Sequence, residues 1–443
     1  MVRSLTDPEG QSNHQRADHM TKAEKSWVLY DVANSAFVLV IVTSIMPLYF
    51  KEVVARGMPG ELATAWWGYA NSVAALAMVL LAPVLGTLAD YSGWKKRLLL
   101  LFLVVGLVAT VLLSQSGEGK VLQCLAVFVV ARIGWEGANL FYDAFLPDIA
   151  EPERMDRISA SGFAWGYVGS VIPFLAVIAL IMTGKSDTGS RIPPDAARMG
   201  FLVVAGWWLL FSIPLLRNVR QKYGCERGAG AVRGSIRQLI ETFRHVSRHR
   251  NAFLFLLAYF FYIDGVGTVI TMAVAYGVDV GLGPETLILV ILVIQLVAFP
   301  ASLVWGKLTD SFRAKPLLFS GIGVYCCITF LAFMIPVIPD PSMKKTVFWV
   351  LAILVASSMG GVQALSRSFF GKIIPLERSG EFFGFYNIFG KFAAIGGPFL
   401  MGITAQLTGS SRYGVLSILI LFIIGSLILT KVDEKLPSPA SEP

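Results

Sequence analysis

Apolar residues along the chain collect into blocks of about 18 to 25, the length an α-helix needs to cross a hydrocarbon core about 30 Å thick. Read in order, the blocks predict helices over Trp27–Phe50, Trp66–Ala89, Leu98–Leu113, Val121–Leu146, Ser159–Thr183 and Gly200–Leu216. A polar stretch from Arg217 to Arg250 follows, and then come Phe253–Tyr276, Thr286–Trp305, Leu317–Ile338, Thr346–Phe370, Phe382–Leu407 and Tyr413–Thr430. The pattern therefore predicts an all-α integral membrane protein of twelve transmembrane helices in two six-helix bundles. Composition agrees: 55% of the residues are hydrophobic and 15% charged, outside the range of a soluble domain.

The polar segments define the expected organisation. Residues 1–26 carry no apolar run and are expected to remain as a disordered cytoplasmic tail rather than a cleaved leader. An N-terminal bundle over 27–216, a basic cytoplasmic linker over 217–250, a C-terminal bundle over 251–431 and a cytoplasmic tail over 432–443 complete the division. With both termini inside, the inner loops hold most of the 37 lysines and arginines, as retention of positive charge in the cytoplasm requires. Arg367 is counted here with the inner end of its helix. Within the linker, Ile236, Leu239, Ile240, Phe243 and Val246 repeat at helical spacing among arginines, predicting an amphipathic helix on an anionic inner leaflet. The net charge of +8 is thus assigned to the membrane and not to nucleic acid. Cys124, Cys225, Cys326 and Cys327 fit no metal spacing, and His245 and His249 read as a solvated basic face. No metal, no cofactor and a monomer are expected.

The two halves echo each other. Gly86-Thr-Leu-Ala-Asp90-Tyr-Ser-Gly93-Trp-Lys95-Lys96 pairs with Gly306-Lys-Leu-Thr-Asp310-Ser-Phe-Arg313-Ala-Lys315, each between the second and third helix of its half. Pro152 through Phe163 pairs with Pro375 through Phe385, and Tyr30-Asp31 more loosely with Tyr262-Ile-Asp264. Two such halves place a substrate site at their interface near the bilayer midplane. The first motif resembles the G-x-x-x-D-x-x-G-x-K/R signature of the major facilitator superfamily. Tyr91 stands where that superfamily often has arginine, and Arg313 replaces the second glycine. The glycine is expected to let helices approach, the aspartate to cap the next helix and pair with basic residues, and the cluster to latch the inner side. The segments SWVLYDVANSAF (26–37) and FYDAFLPDIAEPERMDRISASGFAWGYVGS (141–170) are similar to the branch of vacuolar amino-acid effluxers of autophagy. That resemblance implies export or release of amino acids or similar small solutes.

An ionisable side chain at bilayer depth costs roughly 2.5 to 3.5 kcal/mol on insertion scales, so each needs a partner or a wet cavity. Arg132, Glu136, Asn139 and Asp143 fall within about 60° of one another on helix four, with Arg132 and Glu136 able to pair. The superfamily's R-x-x-Q-G, whose arginine is associated with proton coupling, is one residue shorter than R-I-G-W-E-G here. Asp31, Asn34 and Ser35 make a polar turn on helix one, where Asp31 could serve gate closure or anchoring. Asp264, Thr268 and Thr271 share a face of helix seven, and Asp264 leads as a proton-carrying carboxylate. Gln363 and Arg367 on helix ten, and Asn387 and Lys391 on helix eleven, complete the pathway set. Lys391 could bind a substrate carboxylate, neutralise Asp264 or snorkel. Tyr142, Tyr167, Tyr259, Tyr262 and Tyr386 read as packing or as path lining, and Gly162, Gly166 and Gly169 as a close helix contact.

No nucleotide-binding fingerprint and no intramembrane nucleophile–base pair is present. The expectation is a non-enzymatic secondary transporter in the cell membrane. It moves a small amphoteric solute, coupled to protons, through one wet chamber shared by Arg132, Glu136 and Asp264. A broad-specificity drug exporter would need an aromatic cavity with few fixed charges. A non-transporting sensor or folding partner would tolerate loss of Arg132 and Asp264.

Overall fold

The computed structural model describes residues 19–184, 192–225, 248–279, 282 and 284–434. The amphipathic helix expected over 236–246 and His245 lie outside these residues. Among the described residues, twelve helices are long and apolar enough to span a membrane. They are α1 Lys22–Val54, α2 Gly60–Ala89, α3 Trp94–Leu113, α4 Val121–Ala144, α5 Pro152–Thr183 and α6 Pro194–Asn218, then α7 Arg250–Asp279, α8 Pro284–Leu308, α9 Ala314–Met334, α10 Pro341–Ile373, α11 Ser379–Thr408 and α12 Arg412–Leu429. Each is placed where an apolar block predicts one.

Many of the helices outrun their apolar blocks because polar residues start them. Thr21 and Glu24 form a reciprocal capping box that begins α1 ahead of its first apolar residue (Thr21 N–H to Glu24 Oε2, 2.6 Å). Prolines occupy the first turn of α5, α6 and α10, where their missing N–H costs nothing, and Asp340 caps α10 by accepting from Ser342 and Met343. Inside α1 the backbone widens to π geometry over Phe37–Ser44, just ahead of Pro47, which cannot donate to the preceding turn.

Leu80, Leu100, Leu101, Val104, Val108, Leu175 and Leu427 are exposed, as lipid-facing positions are. Small residues face inward. Gly162, Gly166 and Gly169 bring α5 against Asp31, Ser35 and Val32 of α1, which is the close-contact reading of that spacing. Asn218 donates to Ser26 (2.8 Å) and Asn251 to the Asp433 carbonyl (2.7 Å), so the helix ends nearest both termini lie on one face of the bundle. The first six helices meet the last six where α5 packs on α8 and α10, and where α2 and α4 pack on α11.

Candidate functional site

Polar side chains gather at two levels of this interface. The deeper level is central. On α4, Arg132 Nε donates to Glu136 Oε1 at 2.9 Å, the pair that i, i+4 spacing predicts. Lys391 of α11 reaches the same oxygen at 2.6 Å, so one carboxylate joins cations from both halves. Asn71 of α2 accepts from Arg132, and the Lys391 ammonium lies 5.6 Å from the centre of the Trp135 ring. Glu136 is 2% exposed, and its Oε2 and the Oδ1 of Asn139 are buried acceptors without a hydrogen-bond partner among the described residues. Met78, Val79 and Ala82 of α2 close a small cavity with Glu136, Asn387, Ile388 and Lys391.

Asp264 is not part of this cluster, which corrects two expectations. Lys391 pairs with Glu136 and does not neutralise Asp264, and the three groups do not share one chamber. The reason is helical phase. Gly396 and Gly397, which meet Asp264, lie five and six positions beyond Lys391, about 140° and 240° around α11. Asp264 instead accepts from the Gly397 N–H at 2.8 Å and, weakly, from Thr268 at 3.5 Å. The other pathway candidates also bond locally: Asn34 donates to the Tyr30 carbonyl at 3.1 Å and to Asp31 at 3.3 Å, and Asn387 to the Phe383 carbonyl at 3.0 Å. Gln363 reaches Tyr167 across the halves at 3.4 Å.

The second level closes the face that bears the termini. Arg367 of α10 is buried, donating to Asp143 (3.2 Å), Asp31 (3.3 Å), the Ser159 hydroxyl (3.0 Å) and the Ser159 carbonyl (3.1 Å). Its guanidinium lies between the Trp27 and Phe163 rings at 4.6 and 4.4 Å. It lies within two turns of the end of α10, as its place in the sequence implies, and from there bridges the two halves. Asp31, which accepts from Arg367 here, also accepts from the Tyr142 hydroxyl at 2.7 Å. Lys372 and Asp156 form a further ion pair between α10 and α5.

The first motif adds a latch whose bonds differ from those expected. Asp90 does not cap the next helix; it accepts from the N–H groups of Gly380 (2.6 Å) and Glu381 (2.8 Å), capping α11 in the other half. The start of α3 is served by Gln221, whose Oε1 accepts from Gly93 at 3.0 Å and Lys95 at 3.4 Å. Gly93 adopts φ +78°, a turn that disfavours any side chain. Lys95 pairs with Asp148 (2.6 Å), not Asp90, and also donates to Ser379 of α11 (2.9 Å). Lys96 donates to the Val219 carbonyl at 2.9 Å. After α6, the Lys222 and Tyr223 N–H groups donate to Asp148, and Cys225 bonds the Asp90 backbone at 2.8 Å, strapping the chain across this loop.

The second motif is only half equivalent. Gly306 admits Ala160 of α5, as Gly86 admits Gly380 of α11. Lys315, however, donates to the Thr430 and Val432 carbonyls in its own half, and Asp310 makes no ion pair among the described residues. Asp148, Ser379 and Gln221 are absent from the sequence-derived set, which held Arg367 for its i, i+4 spacing from Gln363 without its partners on the other half.

Asp90 lies just beyond the end of α2, and burial pushes its carboxyl from 3.8 up to about 7, against the lowering pull of Lys95 and the two N–H groups. The latched state thus binds a proton that an exposed Asp90 releases, so acid favours the latch. Protection of the Gly380 and Glu381 amides, corrected for intrinsic exchange, is expected to fall as pH rises from about 4 to about 7 and then level off. Asp90→Asn should reduce that slope; an unchanged slope in the variant would assign it elsewhere.

Solved structures share this architecture. The proton:xylose symporter XylE, bound to 6-bromo-6-deoxy-D-glucose, superposes with a TM-score of 0.70 at 13% identity over 93% of this chain and 95% of that one. Fold and interface define a multi-pass transporter of the major facilitator superfamily, not an enzyme. The family described as "Vacuole effluxer Atg22 like" matches residues 61–155 and 150–436. An uncharacterized MFS-type transporter, YxiO, of Bacillus subtilis (strain 168) is 44% identical over 95% of this chain and 97% of its own. Autophagy-related protein 22 of Saccharomyces cerevisiae (strain ATCC 204508 / S288c) is 23% identical over 83% of this chain and 78% of its own. The chain belongs to the Atg22-like family.

Proposed function

We propose that this protein is a secondary transporter of a small amphoteric, amino-acid-like solute, working by proton-coupled export or exchange in the cell membrane. The observation that carries this reading is the Arg132–Glu136–Lys391 cluster, which sets fixed charges of both signs beside a cavity at the interface of the halves. A solute bearing an ammonium and a carboxylate finds a counter-charge for each there. A drug-exporting cavity is expected to be apolar and aromatic, and Glu136 with Lys391 in the wall argues against it.

The closed face carries Arg97, Arg154, Arg157, Arg217, Arg220, Lys222, Arg248 and Arg250 at its helix ends, a bias that favours a cytoplasmic location for it and for both termini. Breaking the Asp90 and Arg367 contacts would open a route from the closed face to the cavity as the halves rock. Proteoliposomes test the reading directly. Labelled amino acids should move down their gradients and accumulate when a pH gradient is imposed, and Lys391→Ala should lower both rates at least tenfold. If the wild type moves none of them with or without the gradient, the reading fails.

A further inference from the structure

We propose that Glu136 is the coupling carboxylate, taking up its proton when a ligand carboxylate captures Lys391. The inference rests on the transport reading above and specifies how the central cluster would link solute to proton. Glu136 Oε1 is shared by two cations, Arg132 on its own helix and Lys391 from the opposite half. The remaining walls bring no further charge to it: α2 contributes Asn71, Met78, Val79 and Ala82, and α11 contributes Asn387 and Ile388. Phe102 of α3 covers the adjacent Gly137, and Asp143, two turns along α4, is engaged by Arg367.

A carboxylate between two cations has its charge well matched, whereas the same buried carboxylate with one of them removed binds a proton more readily. Lys391 is the partner that can leave, because it belongs to the other half, lines the cavity and ends a flexible stem. The exchange balances. The Lys391 Nζ–Glu136 Oε1 ion pair breaks and an Nζ–ligand carboxylate pair forms. A hydronium ion from the aqueous phase gives its proton to Glu136 at Oε2, the oxygen without a partner among the described residues, and leaves as water. Arg132, Lys391 and ionised Glu136 sum to one positive charge; the ligand carboxylate and the added proton cancel, so an amphoteric solute adds only the charge of its ammonium group. Coupling therefore follows the acidic group of the ligand. Asp264 offers no such link, since its partners are an N–H and a hydroxyl and no ligand can displace a cation from it.

Infrared titration of the ligand-free full chain tests the electrostatic step. Lys391→Gln should gain a protonated-carboxyl band in the neutral range that is absent from the wild type and from Lys391→Arg. The band should vanish in the Lys391→Gln/Glu136→Gln double variant. No Glu136-dependent band in Lys391→Gln would mean that Arg132 alone suffices, and the proposal falls. In proteoliposomes with a labelled amino-acid mixture, Glu136→Gln should lose accumulation driven by a pH gradient, and whatever exchange it retains should not respond to that gradient, with Glu136→Asp recovering the response. Uphill accumulation surviving in Glu136→Gln would equally overturn the proposal. Failure of the wild type to move any amino acid would instead remove the transport reading, and the infrared result would still decide the linkage.

Discussion

Replacing Arg367 with alanine is expected to produce one of the largest losses of any single substitution in this protein. The guanidinium satisfies two carboxylates, a hydroxyl and a carbonyl at once, all on the opposite half. Its removal leaves Asp143 and Asp31 buried against each other's charge, with only Tyr142 and Asn34 still donating to Asp31. Breaking a buried ion pair by deleting one member typically costs about 3–5 kcal/mol. Because the contact spans the interface, that cost falls on the closed arrangement and spares each half. Amide exchange at the start of α5 and the last turns of α10 should therefore rise by roughly two to three orders of magnitude at 1.4 kcal/mol per tenfold. Helix ends away from this face should change little. Arg367→Lys should not restore protection, since a single ammonium cannot reach both carboxylates and Ser159 together. Neutralising Asp31 and Asp143 in the Arg367→Ala background should recover part of it. Wild-type exchange in Arg367→Ala would show that these contacts do not hold the face shut.

Arg367 also marks where sequence reasoning stopped. Apolar blocks reveal helices because the bilayer demands length and hydropathy, and each of the twelve was found that way. Pairs within one helix are equally legible: Arg132 and Glu136 are joined by helical geometry alone. Contacts between helices are not, because they depend on how each helix is rotated. Lys391 and Gly397 look like neighbours on α11, yet one faces Glu136 and the other Asp264. Helical spacing groups Arg367 with Gln363, but nothing in that spacing joins it to Asp31 on α1 or Asp143 on α4. Asp148 and Gln221 lie in connections whose path no periodicity describes, so the bonds that place Lys95 and cap α3 had no signature to find.

The glycines at the crossing of α2 and α11 carry the other large expectation. A Cβ on Gly86 would overlap the Gly380 carbonyl oxygen and lie 3.1 Å from its carbon and 3.2 Å from Glu381 Cα. All three are backbone atoms, so no side chain can swing aside. Gly86→Val must push the helices apart, and Asp90, one turn on, then loses both N–H groups that it caps. Overpacking costs about 1–3 kcal/mol and loss of a cap about 1 kcal/mol, so closure should weaken by roughly one to three orders of magnitude. Gly306 meets only one atom so closely, Ala160 Cβ at 2.8 Å, its next neighbours lying at 3.5 and 3.7 Å, so Gly306→Val should cost less. Gly323 has nothing within 4 Å, so Gly323→Val should be nearly silent. Cys225, strapped to the Asp90 backbone, supplies a native reporter: its maleimide labelling rate should rise steeply in Gly86→Val, modestly in Gly306→Val and hardly at all in Gly323→Val. If the three variants label alike, the latch does not depend on close backbone contact, and the capping of α11 by Asp90 would have to be maintained by some other packing.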